Sequence, residues 1–219
     1  MPNVKQSEIQ LLDPLIIERA KMLSTTLLSD AMGCSGAMDY GILPLTTNDT
    51  IAGTALTVKM RAGDNLFLHQ AIQLGSKGYV IVADGQGHHA NAYLGELMAE
   101  SAKVNGLEGI VIDGLVRDKE ALMELRFPIY ARGFIPNGPF KDGPGEFNIP
   151  ISCGGVSVTP GDLIVADADG VVVVPKMQIE QVLKKAEEKL SYEDKRKVEI
   201  QSGNTEPHWL KDKMKKFGF

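Results

Sequence analysis

Between residues 78 and 133 the chain alternates strand, helix, strand, helix, strand, and this restricts the fold more than any other feature. GYVIVADG (78–85) is a β-branched run bounded by glycines, and LGELMAESAKVNG (94–106) has apolar residues at helical spacing and stops on glycine. EGIVIDG (108–114) reads as a second strand, DKEALMELR (118–126) as a second helix and PIYARG (128–133) as a third strand. Strands joined by helical crossovers predict a parallel sheet, and right-handed connections bring the strands' carboxyl ends to one edge.

The flanking segments complete an α/β reading. Residues 7–32 carry Ile9, Leu12, Ile16, Ala20, Leu23 and Leu27 around one helical face, until Gly33 and Gly36 interrupt. IAGTALTVKM (51–60) is a strand, and 64–75 a helix with Asp64 as N-cap and Gly75 as stop. IPNGPFKDGPGEFN (135–148) is rich in glycine and proline and reads as a loop. Residues 149–158 and 162–175 are β-rich, with DADG a tight turn between two strands. A polar-faced helix follows over about 176–202, then a tail over 203–219. Without an internal repeat or interdomain linker, 1–219 reads as a single domain with its core over about 20–175 and a C-terminal helical extension.

Composition narrows the function classes. A net charge of -5 lacks the basic footprint that nucleic acid requires, and the only dense lysine run is KDKMKKF at 211–217. Cys34 and Cys153 show no short spacing, so neither a zinc site nor a disulfide framework is expected, and a reducing cytoplasm fits. The polar start, MPNVKQSEIQ, is no signal region, and no run reaches the length of a membrane span. GQGHHANAYLG (85–95) matches neither a dinucleotide fingerprint nor a P-loop, so no nucleotide cofactor is expected.

Chemistry is expected where helix N-termini meet strand ends. Gly95-Glu96-Leu97-Met98 opens one helix and Arg117-Asp118 opens the next, one βαβ unit apart. Free backbone N–H groups at Leu97 and Met98, with the fork of Arg117, suit a small carboxylate. Asp118 and Glu96 are then the acidic groups nearby, and a carboxylate beside an arginine and a bound anion suits Mg²⁺. A structural alternative stands beside each: Asp118 as the N-cap of its own helix, worth about 1 kcal/mol, and Glu96 as a complement to its helix dipole. His88-His89, in a predicted loop, lack a third metal ligand at telling spacing. His69 reads as core or surface polar, and Cys153 as a packed thiol.

On these residues the chain resembles the family of 4-hydroxy-4-methyl-2-oxoglutarate aldolases and RraA-type regulators of ribonuclease activity. The likeness runs from LLSDAM (27–32) and GTALTV (53–58) through LGELMAESA and GIVIDGLVRD to CGGVSVTPGDLIVADADGVVVVP, ending at 175. The aldolase branch is marked by an acidic residue, twenty intervening residues and Arg-Asp, which here is Glu96, 97–116 and Arg117-Asp118.

The resemblance implies a ββα swivelling-type domain assembled as a homotrimer or homohexamer, its C-terminal helix and tail packing on a neighbouring subunit. It implies a class II, metal-dependent lyase that releases pyruvate from 4-hydroxy-2-oxo acids such as 4-hydroxy-4-methyl-2-oxoglutarate or 4-carboxy-4-hydroxy-2-oxoadipate, and that decarboxylates oxaloacetate. Asp118 would hold Mg²⁺ or Mn²⁺; Arg117, Leu97 and Met98 would hold the pyruvyl part; Glu96 would orient or protonate through water. An acidic residue of a neighbour's C-terminal helix would approach the metal, with Glu193, Asp194 and Glu199 all available. The rival expectation is a non-catalytic RraA-type regulator that binds a ribonuclease or another protein; that branch lacks the aspartate after the arginine. Methyl transfer to a quinone would need a methyl-donor nucleotide site, for which the sequence offers no motif.

Overall fold

The computed structural model describes residues 10–47 and 49–218. Its strands are β1 (Leu43–Pro44), β2 (Ile51–Met60), β3 (Tyr79–Leu94), β4 (Gly109–Val116), β5 (Ile129–Ala131), β6 (Gly145–Phe147), β7 (Ile151–Cys153), β8 (Val156–Val158), β9 (Leu163–Asp167) and β10 (Gly170–Val174). The helices are α1 (Pro14–Lys21), α2 (Thr25–Ala31), α3 (Leu66–Leu74), α4 (Glu96–Val104), α5 (Lys119–Leu125), α6 (Ile179–Gln201) and α7 (Leu210–Lys215).

The main sheet runs β1-β5-β4-β3-β2-β9-β10, with β6 beside the far half of β2. β2, β3, β4 and β5 are mutually parallel, as the alternation predicts; β1, β9 and β10 join antiparallel. The Met38 N–H donates to Val171 O and the Val173 N–H to Gly36 O, each at 2.9 Å, just before β1 joins β5. Residues 36–44 thereby bridge the two ends of the sheet and nearly close it.

The strand sequences alternate in burial across the sheet wall. Val80, Val82, Val111, Ile164, Ala166, Val171 and Val173 face inward, where the β7–β8 hairpin plugs the interior with Ile151, Cys153 and Val158. Ile81, Ala83, Ile110 and Ile112 face outward under α3, α4 and α5. Leu163, Val165, Val172 and Val174 face outward under α1, α2 and α6. GVVVV is apolar throughout because both faces of β10 are covered. Each large apolar side chain so buried contributes about 2 kcal/mol.

Several expectations are corrected. The helix expected over 7–32 is two helices, with 7–9 outside the described residues. Asp13 caps α1, with Pro14 following, and Ser24 caps α2 by accepting from the Leu27 N–H. The apolar spacing runs on across the break because both helices cover one core. Asp64 stands one residue before the α3 cap, which Asn65 occupies; Gly75 ends the helix as expected. His88-His89 belong to β3, a 16-residue strand that continues through register shifts instead of stopping at Gly85. The segment expected as loop over 135–148 contains β6. The DADG turn is as predicted, with Asp167 paired to Gly170. The C-terminal helix opens with a 3-10 turn, Lys176–Gln178, before α6. Among the described residues, no helix is long and apolar enough to cross a membrane.

Candidate functional site

β3 and β4 are parallel neighbours, so the starts of α4 and α5 meet on one edge. A cleft of about 490 Å³ lies there, lined by Gly95, Glu96, Leu97, Met98, Arg117 and Asp118. The six residues singled out at these two helix starts are thus brought together. Asn65, His69, Tyr93, Pro139 and Lys141 also line it.

The local backbone decides between the two readings of Asp118. It holds the cap position of α5 in a left-handed conformation (φ 62, ψ 46), and its side chain makes no capping bond to its own helix. Instead Asp118 Oδ2 accepts the Glu96 N–H at 3.1 Å, tying the two helix starts together. A non-glycine residue at positive φ is a conformation held by its surroundings. Asp118 Oδ1 has no hydrogen-bond partner among the described residues. Gly95 is required by this crossing: a Cβ there would lie 2.3 Å from Asp118 Oδ2 and 3.1 Å from Arg117 Nε.

Arg117 emerges as β4 ends, its N–H bonded to Leu94 O at 2.9 Å. Its Nε is 3.6 Å from Asp118 Oδ2, beyond hydrogen-bond length, and both side chains are over two-fifths exposed. Among the described residues the guanidinium makes no hydrogen bond and only this loose ion pair. In α4 the first-turn N–H groups of Leu97 and Met98 have no intrahelical acceptor, as at any helix start. Leu97 is 77% exposed at the rim, whereas Met98 is buried beneath.

Asn65 is the residue that sequence reasoning missed. It is 2% exposed, and its Nδ2 donates to Tyr93 O at 2.8 Å, yet its buried Oδ1 has no partner. An unmatched buried acceptor on a cleft wall marks a place where a donor belongs. The available signal was its cap position, which had been assigned to Asp64. Lys141, from the segment after β5, places a cation on the same wall. Burial and the nearby Lys141 charge lower the His69 pKa below its ordinary value.

The roof of the cleft is the segment between β5 and β6. Asp64 Oδ2 accepts the N–H groups of Asp142 (2.7 Å) and Gly143 (2.8 Å), and Asp64 Oδ1 accepts that of Leu66 (2.9 Å). Burial opposes ionisation of Asp64, but these three N–H donors and nearby Arg61 outweigh it and hold its pKa below the usual carboxylate range.

Other candidates stand elsewhere. Cys153 is fully buried, and burial pushes its thiol pKa well up, as a packed thiol requires. His88 bonds Asn91. Glu193 faces Lys189 at 4.0 Å, Asp194 bonds Lys197, and Glu199 is held by Arg196 and His208. None of the three lines the cleft within this chain.

Among the described residues no three His, Cys, Asp or Glu side chains cluster as metal ligands, which does not suit zinc. A single carboxylate with one free oxygen, beside a second acidic residue at an exposed edge, does suit a hard cation that keeps most of its waters.

An arginine, a carboxylate oxygen without a hydrogen-bond partner among the described residues and open helix-start N–H groups thus share the carboxyl edge of the parallel strands, an arrangement of the kind that suits a small anion. The chain belongs to the RraA-like family, Aldolase/RraA, which matches residues 25–173. A relative from Halalkalibacterium halodurans named "Putative 4-hydroxy-4-methyl-2-oxoglutarate aldolase" is 43% identical over 184 residues, covering 84% of this chain and 88% of its own. An uncharacterized protein from Pseudomonas syringae pv. tomato has a solved structure 28% identical, with a TM-score of 0.80, covering 90% of this chain and 96% of its own. The RNA-processing inhibitor RraA from Thermus thermophilis is 31% identical with a TM-score of 0.65, covering 70% and 93%.

Proposed function

We propose that the cleft binds a 4-hydroxy-2-oxo acid and cleaves its C3–C4 bond to release pyruvate, with decarboxylation of oxaloacetate through the same enolate. The observation that carries this reading is the convergence of Arg117, the Leu97 and Met98 N–H groups and the uncapped Asp118 carboxylate in one cleft. The aldolase name of the 43%-identical relative supports it.

The Leu97 and Met98 N–H groups bind the substrate carboxylate at the positive end of α4. The Arg117 fork donates to the C2 oxygen, where negative charge grows as the C3–C4 bond breaks. Water held by the Glu96 carboxylate takes the C4 hydroxyl proton, the C4 carbonyl product forms, and the bonding pair passes to the pyruvyl half as its enolate. Glu96, at the cleft edge, returns a proton to C3 through water. Lys141 lines the cleft opposite and adds a cation beside the substrate anion. Asp118 would hold Mg²⁺ or Mn²⁺ through Oδ1, and such a cation supplies Lewis-acid withdrawal of charge from the C2 carbonyl.

A coupled pyruvate assay with oxaloacetate and 4-hydroxy-4-methyl-2-oxoglutarate tests this, run with Mg²⁺ or Mn²⁺ and again with EDTA. Metal-dependent pyruvate that disappears in Asp118→Ala is the expected result. No pyruvate from either substrate, in folded metal-supplied protein, would overturn the reading. The likeness to the RNA-processing inhibitor keeps a second reading alive: a protein-binding regulator. Under that reading Asp118→Ala leaves partner binding intact and there is no turnover to lose.

A further inference from the structure

Arg117 makes no hydrogen bond among the described residues, and its loose ion pair with Asp118 leaves its aim only partly explained. Asp118 lies too far away to hold Nε, and the side chain is 44% exposed. A long, flexible arginine left this way would sample many rotamers. Its stem and Nε pass Gly95 at the start of α4, and its far end reaches the roof. A Cβ built on Gly138 would lie 3.1 Å from Arg117 Nη1, so the guanidinium lies close against that glycine's backbone.

Gly138 is itself held. Asn91 Nδ2 donates to Gly138 O at 2.6 Å, and behind it His88 Nε2 bonds Asn91 Oδ1 at 3.0 Å. The donor sense follows from chemistry. A carbonyl only accepts, so the amide nitrogen of Asn91 faces Gly138 and its oxygen faces His88, which fixes the proton of His88 on Nε2. Asn137 makes the parallel link, its Nδ2 donating to Ala90 O at 3.0 Å while its carbonyl accepts the Ala92 N–H at 2.8 Å. The protruding half of β3 is therefore stitched to the roof opposite Arg117. Gly63 makes room for the stitch: a Cβ there would sit 3.0 Å from both His88 Nε2 and Asn91 Oδ1.

The geometry points to Asn91 as a positioning residue for Arg117, with His88 setting the orientation of the Asn91 amide. The chain of contact is His88 to Asn91 to Gly138 to the guanidinium. Asn91 and His88 touch no reacting atom; they keep the fork from swinging. The kinetic part of this inference rests on the lyase reading, and the structural part does not.

The test follows the Arg117 Nε–H directly by ¹H–¹⁵N NMR in the full chain, assigned by its loss in Arg117→Lys. Wild type is expected to show an ordered Nε–H. Asn91→Ala and His88→Ala are expected to make it mobile on the ns timescale, with little change in melting temperature. His88→Gln, whose amide nitrogen can replace Nε2–H, is expected to restore order. Gly138→Ala pushes the same guanidinium from the other side without straining the backbone and is expected to shift its resonance. If pyruvate release is present, kcat falls roughly tenfold in Asn91→Ala while KM changes less, because aim matters most as charge develops. An Arg117 Nε–H equally ordered in Asn91→Ala, or His88→Gln behaving as His88→Ala, would overturn the inference. Asn91-dependent order in a protein releasing no pyruvate supports the positioning and sinks only the lyase reading.

Discussion

Two arginine–aspartate pairs follow the parallel strands, on opposite faces of the sheet wall, and they are treated in opposite ways. Inside, Arg132 Nε donates to Asp113 Oδ1 and its Nη1 to Asp39 Oδ1, while Asp113 Oδ2 takes the Gly154 N–H at 2.9 Å. Both Asp113 oxygens and two Arg132 nitrogens are engaged, and the pair pins the β7–β8 plug. Outside, Arg117 and Asp118 stand 3.6 Å apart, and each keeps unused hydrogen-bonding capacity. The same residue types are a rivet in one place and an open site in the other. What separates them is whether the fold has consumed their donors and acceptors.

That contrast is open to direct attack, and the largest effect is expected at the rivet. Asp113→Ala leaves Arg132 short of its main partner beside a buried plug and should cost on the order of 3 kcal/mol by denaturant unfolding. Asp118→Ala should cost less than about 1 kcal/mol, as exposed pairs do, while removing pyruvate release. A large stability loss at Asp118 would erase the distinction. Next comes Gly95→Ala, whose methyl would collide with Asp118 Oδ2. We expect a loss of roughly 10²-fold in kcat/KM from the displaced carboxylate, at a small cost in melting temperature.

The smallest effect concerns the roof and is read as a function of pH. The Asp64 carboxylate is depressed in the folded state, so its stabilisation is complete above the unfolded pKa, about 4, and is lost as pH falls through the folded value. Asp64→Asn should therefore be less stable than wild type at neutral pH, with the gap closing below about pH 4. A gap independent of pH would assign the effect to packing.

Much of this was legible in the sequence because it rests on local pattern. The glycine-bounded β-branched runs gave the parallel strands, and Gly95 to Met98 with Arg117-Asp118 fell on one edge because adjacent βαβ units place them there. What could not be read depends on distant contacts. β3 outruns its apolar segment because β4 keeps pairing with it through register shifts and the roof hydrogen-bonds to its polar half. β6 forms within a glycine-rich stretch because β2 offers it an unpaired edge. Asn65 looked like a spare polar residue beside a better cap, and only the fold shows its oxygen stranded on the cleft wall.

The left-handed backbone at Asp118 has a consequence for how such proteins diverge. Asparagine and glycine tolerate that conformation as readily as aspartate does. Among the described residues the Asp118 side chain takes one hydrogen bond, from the Glu96 N–H, beside its ion pair with Arg117. A single base change in the gene could therefore exchange the carboxylate for an amide or a hydrogen and leave the scaffold standing. Under the lyase reading proposed above, such a change would remove or restore activity while the scaffold stays folded.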